Sequence, residues 1–113
     1  MSKHYSLLKI NEVAEGDEEF LRELASTFLV EISVDLKAMS EAIQNENKEL
    51  AYQFAHKIKP NIQMFDVPLV RELNKIEAWT NTSKKKNSIL PHLNVVQTTL
   101  NLVFDELKED YQI

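Results

Sequence analysis

Residues 55–60, Ala-His-Lys-Ile-Lys-Pro, hold the side chains of this chain best suited to chemistry. His56 brings an imidazole, a nitrogen nucleophile that can bond to an electrophilic group and later release it. Lys59 follows one helical turn on, on the same side, with a positive charge, and Lys57 stands on the flank. Pro60 is unexpected there. Inside a helix it removes one hydrogen bond, and its ring collides with the carbonyl four residues back, at a cost of about 3 kcal/mol. That carbonyl belongs to His56. A strained turn beside a histidine points to use of the histidine more strongly than either feature alone.

The segment around these residues decides which way they face. At about 100° per residue, with Phe54 at zero, Leu50, Ala51, Ile58, Ile62 and Phe65 fall within about 80° of it and form the predicted core face. His56 lies near 200°, with Tyr52, Lys59, Pro60 and Gln63 on the same side. The histidine is therefore expected in solvent. Ile62 and Phe65 keep the phase of Leu50, Phe54 and Ile58 across Pro60, so one continuing, bent helix is expected rather than two.

The rest of the chain reads as more of the same element. A single glycine in 113 residues leaves few positions for the positive-φ turns of hairpins, so the fold class is all-α. Asp17 caps a helix after Gly16, with acids in its first turn. An apolar stripe from Phe20 through Leu24, Phe28, Ile32, Leu36, Met39 and Ile43 carries that helix to about Asn45. Asn47 caps the helix of His56. Asp66 is read as the cap of a third helix, with Pro68 in its first turn and Leu69, Leu73 and Ile76 running to about Trp79. After the polar stretch 80–88, a last helix holds Leu90, Leu93, Val96, Leu100, Val103, Phe104 and Leu107, with Pro91 tolerable only in the first turn. A short leading helix is placed over Ser6 to Val13. The predicted architecture is an antiparallel four-helix bundle with a short N-terminal helix, in one domain spanning residues 1–113.

Composition narrows the function classes. A net charge of −5 argues against a general nucleic-acid binder, which needs a basic footprint on phosphates. Lys84 to Lys86 read as a solvated loop. With no cysteine there is no disulfide, thiolate metal site or thiol nucleophile. No apolar run approaches the roughly 20 residues of a membrane span and none has the form of a signal peptide, so the expected compartment is the cytoplasm, with no membrane partner. His4 and His92 stand alone, and no spacing joins the three histidines in a metal site. Tyr5, Tyr111 and Trp79 read as packing residues. Glu18, Glu19 and Glu23 form a solvated face rather than a hydrolase's paired acids.

Ala55, His56, Lys57, Ile58 and Lys59 together resemble the phosphorylation motif of histidine phosphotransfer (HPt) domains: an alanine, the active histidine, two variable residues and a lysine. The similarity extends over roughly residues 7 to 80, through GDEEFLRELASTFLVEI and LVRELNKIEA. Two positions depart from the family: Pro60 stands where glycine usually follows the lysine, and Asp66 where glycine usually lies ten residues after the histidine. The resemblance implies a phosphorelay carrier, with His56 as phosphoacceptor and Lys59 as its electrostatic support. It implies no catalysis of its own and no cofactor. Mg²⁺ would be held by the partner, a response-regulator receiver domain, and a hybrid sensor histidine kinase is a further expected partner. Tyr52, Lys57, Pro60, Gln63, Val67 and Val70 would meet that partner, with exposed Tyr52, Val67 and Val70 as an apolar rim. The chain is expected to be a monomer. The alternative is an interaction module of the same fold that binds a receiver or kinase without accepting phosphate.

Overall fold

A computed structural model of the chain describes residues 4–113. Their regular structure is all helical: α1 (Leu8–Ala14), α2 (Glu18–Gln44), α3 (Lys48–Met64), α4 (Val70–Trp79) and α5 (Leu90–Tyr111), with one 3₁₀ turn at Lys86–Ser88. No strand occurs among the described residues. Helix α2 packs on α3, α3 on α4, α4 on α5, and α5 back on α2, within principal extents of 47 × 23 × 22 Å. The core between them is apolar and closely filled, with Ile32, Met39, Ile43, Ile58, Ile62, Phe65, Leu73, Ile76, Leu93 and Leu100 among its fully buried side chains. Phe65 stacks on Phe28, ring centroids 4.1 Å apart, and joins the end of α3 to the middle of α2. Among the described residues no helix is long and apolar enough to cross a membrane.

The helix starts follow the side chains that cap them. The Asp17 carboxylate accepts the amide of Phe20 at 3.1 Å, and the Asn47 side-chain oxygen accepts that of Leu50 at 3.2 Å. Each satisfies one of the amides left over at a helix start. Pro91 lies in the first turn of α5, where its missing N–H removes nothing.

Helices α2 and α3 end in the same way. After α2, Glu46 turns left-handed at φ 54, its amide bonds the carbonyl of Ile43, and the Asn47 amide bonds that of Ala42. After α3, Asp66 turns left-handed at φ 55, its amide bonds the carbonyl of Gln63, and the Val67 amide bonds that of Ile62. Both are Schellman closures, which tie up the last carbonyls, and the one after α3 brings the apolar Val67 back onto the helix.

This closure corrects two sequence expectations. Asp66 ends α3 and does not cap α4, whose first helical residue is Val70; Pro68 precedes that helix. Val67 is only 3% exposed, because the closure folds it inward beside Ile62, so it belongs to the core and not to an exposed rim.

Candidate functional site

Helix α3 runs unbroken from Lys48 to Met64 with Pro60 inside it. Its buried residues are Ala51, Ala55, Ile58, Ile62 and, at its end, Phe65, while Leu50 is 40% exposed and Phe54 is half-buried. The centre of the core face is thus turned by about 60° from Phe54 toward Ala55. His56 remains far from it, and its side chain is 66% exposed. Lys59 is moved to the edge of the core face, and its side chain is 19% exposed. That is a correction to its expected place beside His56 in open solvent: the same rotation that buries Ala55 brings Lys59 against α4.

Helix α4 meets Lys59 with two polar side chains. The Lys59 ammonium donates to Asn74 Oδ1 at 2.8 Å and to Glu77 Oε1 at 2.9 Å. Glu77 is the residue that joins the site together. Its other oxygen, Oε2, is buried without a hydrogen-bond partner and stands 3.5 Å from His56 Nδ1. That separation is an electrostatic approach rather than a formed hydrogen bond. A carboxylate can only accept, so the approach favours a proton on Nδ1 and leaves the lone pair on Nε2. Nε2 has no protein partner among the described residues.

The flanking residues divide. Tyr52, one turn before His56 and 40% exposed, lays its ring parallel to the imidazole, centroids 5.7 Å apart and planes 8° from parallel. Pro60 and Gln63 are exposed, and Val70 is partly buried against the core. Lys57 points away from the imidazole toward α2, where its ammonium lies 3.2 Å from Asp35 Oδ1. Asp35 is the one charged residue buried among the described residues, 5% exposed. Lys57 is therefore the counter-ion of a buried carboxylate, not a free cation flanking the histidine.

The remaining candidates lie outside this cluster. His4 binds Glu106 with its backbone amide, at 2.8 Å, and with its ring. His92 lies in the first turn of α5. Trp79 is buried, donates its indole N–H to the carbonyls of Lys84 and Lys85, and carries the Lys48 ammonium 4.9 Å above its ring. Among the described residues no group of three or more histidine and carboxylate side chains is placed to hold a metal ion.

Sequence reasoning missed Asn74, Glu77 and Asp35. A signal existed for each. Asn74 and Glu77 are three residues apart, beside the α4 stripe of Leu73 and Ile76, and so share one helix edge. Asp35 falls within about 60° of Ile32 on the wheel of α2, inside an arc that is otherwise apolar.

Compared with family models, curated proteins and solved structures, the chain matches none of them.

Proposed function

We propose that the chain is a histidine phosphotransfer carrier: α2 to α5 form the four-helix bundle, α1 is its short leading helix, and His56 relays a phosphoryl group between receiver-domain aspartates. The observation that carries this reading is the setting of His56: an exposed imidazole in mid-helix, with Nδ1 toward a carboxylate, Nε2 unengaged and a lysine one turn on. In the proposed transfer the Nε2 lone pair attacks phosphorus on the partner's aspartyl phosphate. The N–P bond forms, the P–O bond to the aspartate breaks, and the carboxylate leaves with the electron pair. The proton on Nδ1 stays there beside Glu77, which stabilises the cationic ring. Reversal returns the group to an aspartate. The receiver's own Mg²⁺ would neutralise the phosphoryl oxygens, and this chain presents the nucleophile.

Asp66 does not count against the resemblance where it departs from the family pattern. The family's glycine falls on the left-handed position that closes α3, and aspartate is one of the few other residues that tolerate such a φ. Pro60, in place of the other glycine, is exposed and has no N–H, and it leaves the approach to His56 uncrowded.

The test is incubation with a phosphorylated receiver domain and Mg²⁺, comparing the natural protein with His56→Gln. The carrier reading predicts a label that acid removes, as it does from phosphohistidine, and no label on the variant. His56→Gln should change stability by no more than about 0.5 kcal/mol, because the side chain is exposed. An acid-stable label, or full labelling of the variant, would contradict the reading.

A further inference from the structure

We infer that Tyr52 is a positioning residue, which holds the His56 ring in the orientation that presents Nε2; this rests on the carrier function proposed above and adds to it a contact made within the chain. An imidazole 66% exposed on a helix surface has little around it to fix its side-chain rotations. Two contacts limit them here. Glu77 Oε2, 3.5 Å from Nδ1, acts on one edge of the ring and favours the half-turn about Cβ–Cγ that keeps Nδ1 on its side. Edge contact alone leaves the ring free to tilt about that approach. Tyr52 acts on the face: its ring lies 8° from parallel with a centroid separation of 5.7 Å, an offset stack. Stacking alone lets the imidazole flip by a half-turn about its Cβ–Cγ bond, which exchanges Nδ1 with Cδ2. Both together leave one arrangement, with Nδ1 toward Glu77 and Nε2 away from it.

Both partners are well placed to act on the ring. Tyr52 and His56 are one turn apart on the continuous helix α3, so their spacing is fixed by the backbone and not by a loop. No hydrogen bond ties the Tyr52 hydroxyl among the described residues. The ring and not the hydroxyl therefore makes the contact. Tyr52 also lines a surface recess of about 600 Å³ with Lys48, Glu49, Gln53, Thr80 and Asn81.

The experiment uses the whole chain as Tyr52→Phe and Tyr52→Ala, with two readouts. The first is the nuclear magnetic resonance of the His56 ring protons, which feel the ring current of a stacked aromatic. The second is the rate at which each protein accepts phosphate from phosphoramidate, a small donor that presents no protein surface; Nε2 forms the new N–P bond, and ammonia leaves as the old one breaks. Tyr52→Ala should shift the ring protons downfield and slow acceptance about two- to tenfold, the range expected for loss of one aromatic pair. Tyr52→Phe should behave as the natural protein. Unchanged ring-proton shifts in Tyr52→Ala, or a Tyr52→Phe protein as slow as Tyr52→Ala, would overturn the inference. Failure of the natural protein to accept phosphate at all would count against the carrier function instead, and the ring-proton shifts would still decide whether Tyr52 orients the imidazole.

Discussion

At the scale of single residues, the site is a chain of polar side chains in which Glu77 is the middle link. Lys59 reaches one oxygen of Glu77 and His56 approaches the other, so the carboxylate fixes the lysine and biases the imidazole tautomer together. In the proposed carrier, a phosphoryl group arriving on His56 would compete with Glu77 for the Lys59 ammonium. Removing the carboxylate leaves a mostly buried ammonium with Asn74 as its one remaining partner. Glu77→Ala should therefore destabilise the protein by about 1–3 kcal/mol, as read by the midpoint of urea unfolding. A midpoint equal to that of the natural chain would mean that the Lys59 and Glu77 contact contributes nothing to folding. Lys57 and Asp35 form a separate pair on the α2 side, and that separation is why two lysines flanking one histidine do different work.

At the scale of elements, α3 is built around a contradiction. Its apolar residues and its Schellman closure favour one helix from Lys48 to Met64, and Pro60 opposes it by removing the hydrogen bond to the His56 carbonyl. Replacing Pro60 by alanine restores that bond and relieves the ring's collision. Part of the gain is offset, since proline also restricts the unfolded chain by roughly 0.4–1 kcal/mol. A net rise of about 2 kcal/mol is expected for Pro60→Ala. A thermal melt checks it, and a lower midpoint than that of the natural protein would refute a strained continuous helix. How much of this was legible in the sequence follows from how local each feature is. Asp17 and Asn47 were readable as caps because a cap is made within four residues. The phase of Ile58, Ile62 and Phe65 carried the helix through Pro60 for the same reason. Asp66 was misplaced because a turn residue between two helices can serve either, and the left-handed closure decided for α3. Lys59 was misplaced because its neighbours are set by how far α3 rotates against α4. Glu77 was overlooked because only that rotation shows which edge of α4 meets the histidine.

At the scale of the whole molecule, the helices are tied together by contacts far apart in sequence. Residues 4–6 run along the ends of α5 and α3: His4 binds Glu106, the Tyr5 hydroxyl donates to Asp110 at 2.5 Å, and the Ser6 amide donates to the Phe65 carbonyl at 2.8 Å. Burial first, and then the hydrogen bond to Asp110, raise the Tyr5 phenol well above its ordinary value of 10.0. The folded state thus favours the protonated phenol. The stability this contributes is fully present below the unfolded value and is lost as pH rises above it. Unfolding followed between pH 8 and 11 should show a decline near the upper end that is smaller in Tyr5→Phe; equal declines would remove Tyr5 from the account. Tyr111, raised by burial and by Asp110, adds in the same direction. In the proposed carrier the packed helices hold the His56 imidazole outward on α3, and its Nε2 carries the phosphoryl group. The most direct measurement is phosphorus–proton correlation on the phosphorylated protein. Coupling of the phosphorus to both carbon-bound protons of the His56 ring is the predicted result. Coupling to the proton between the two nitrogens alone would place the group on Nδ1, and phosphorus on any other residue would contradict the account altogether.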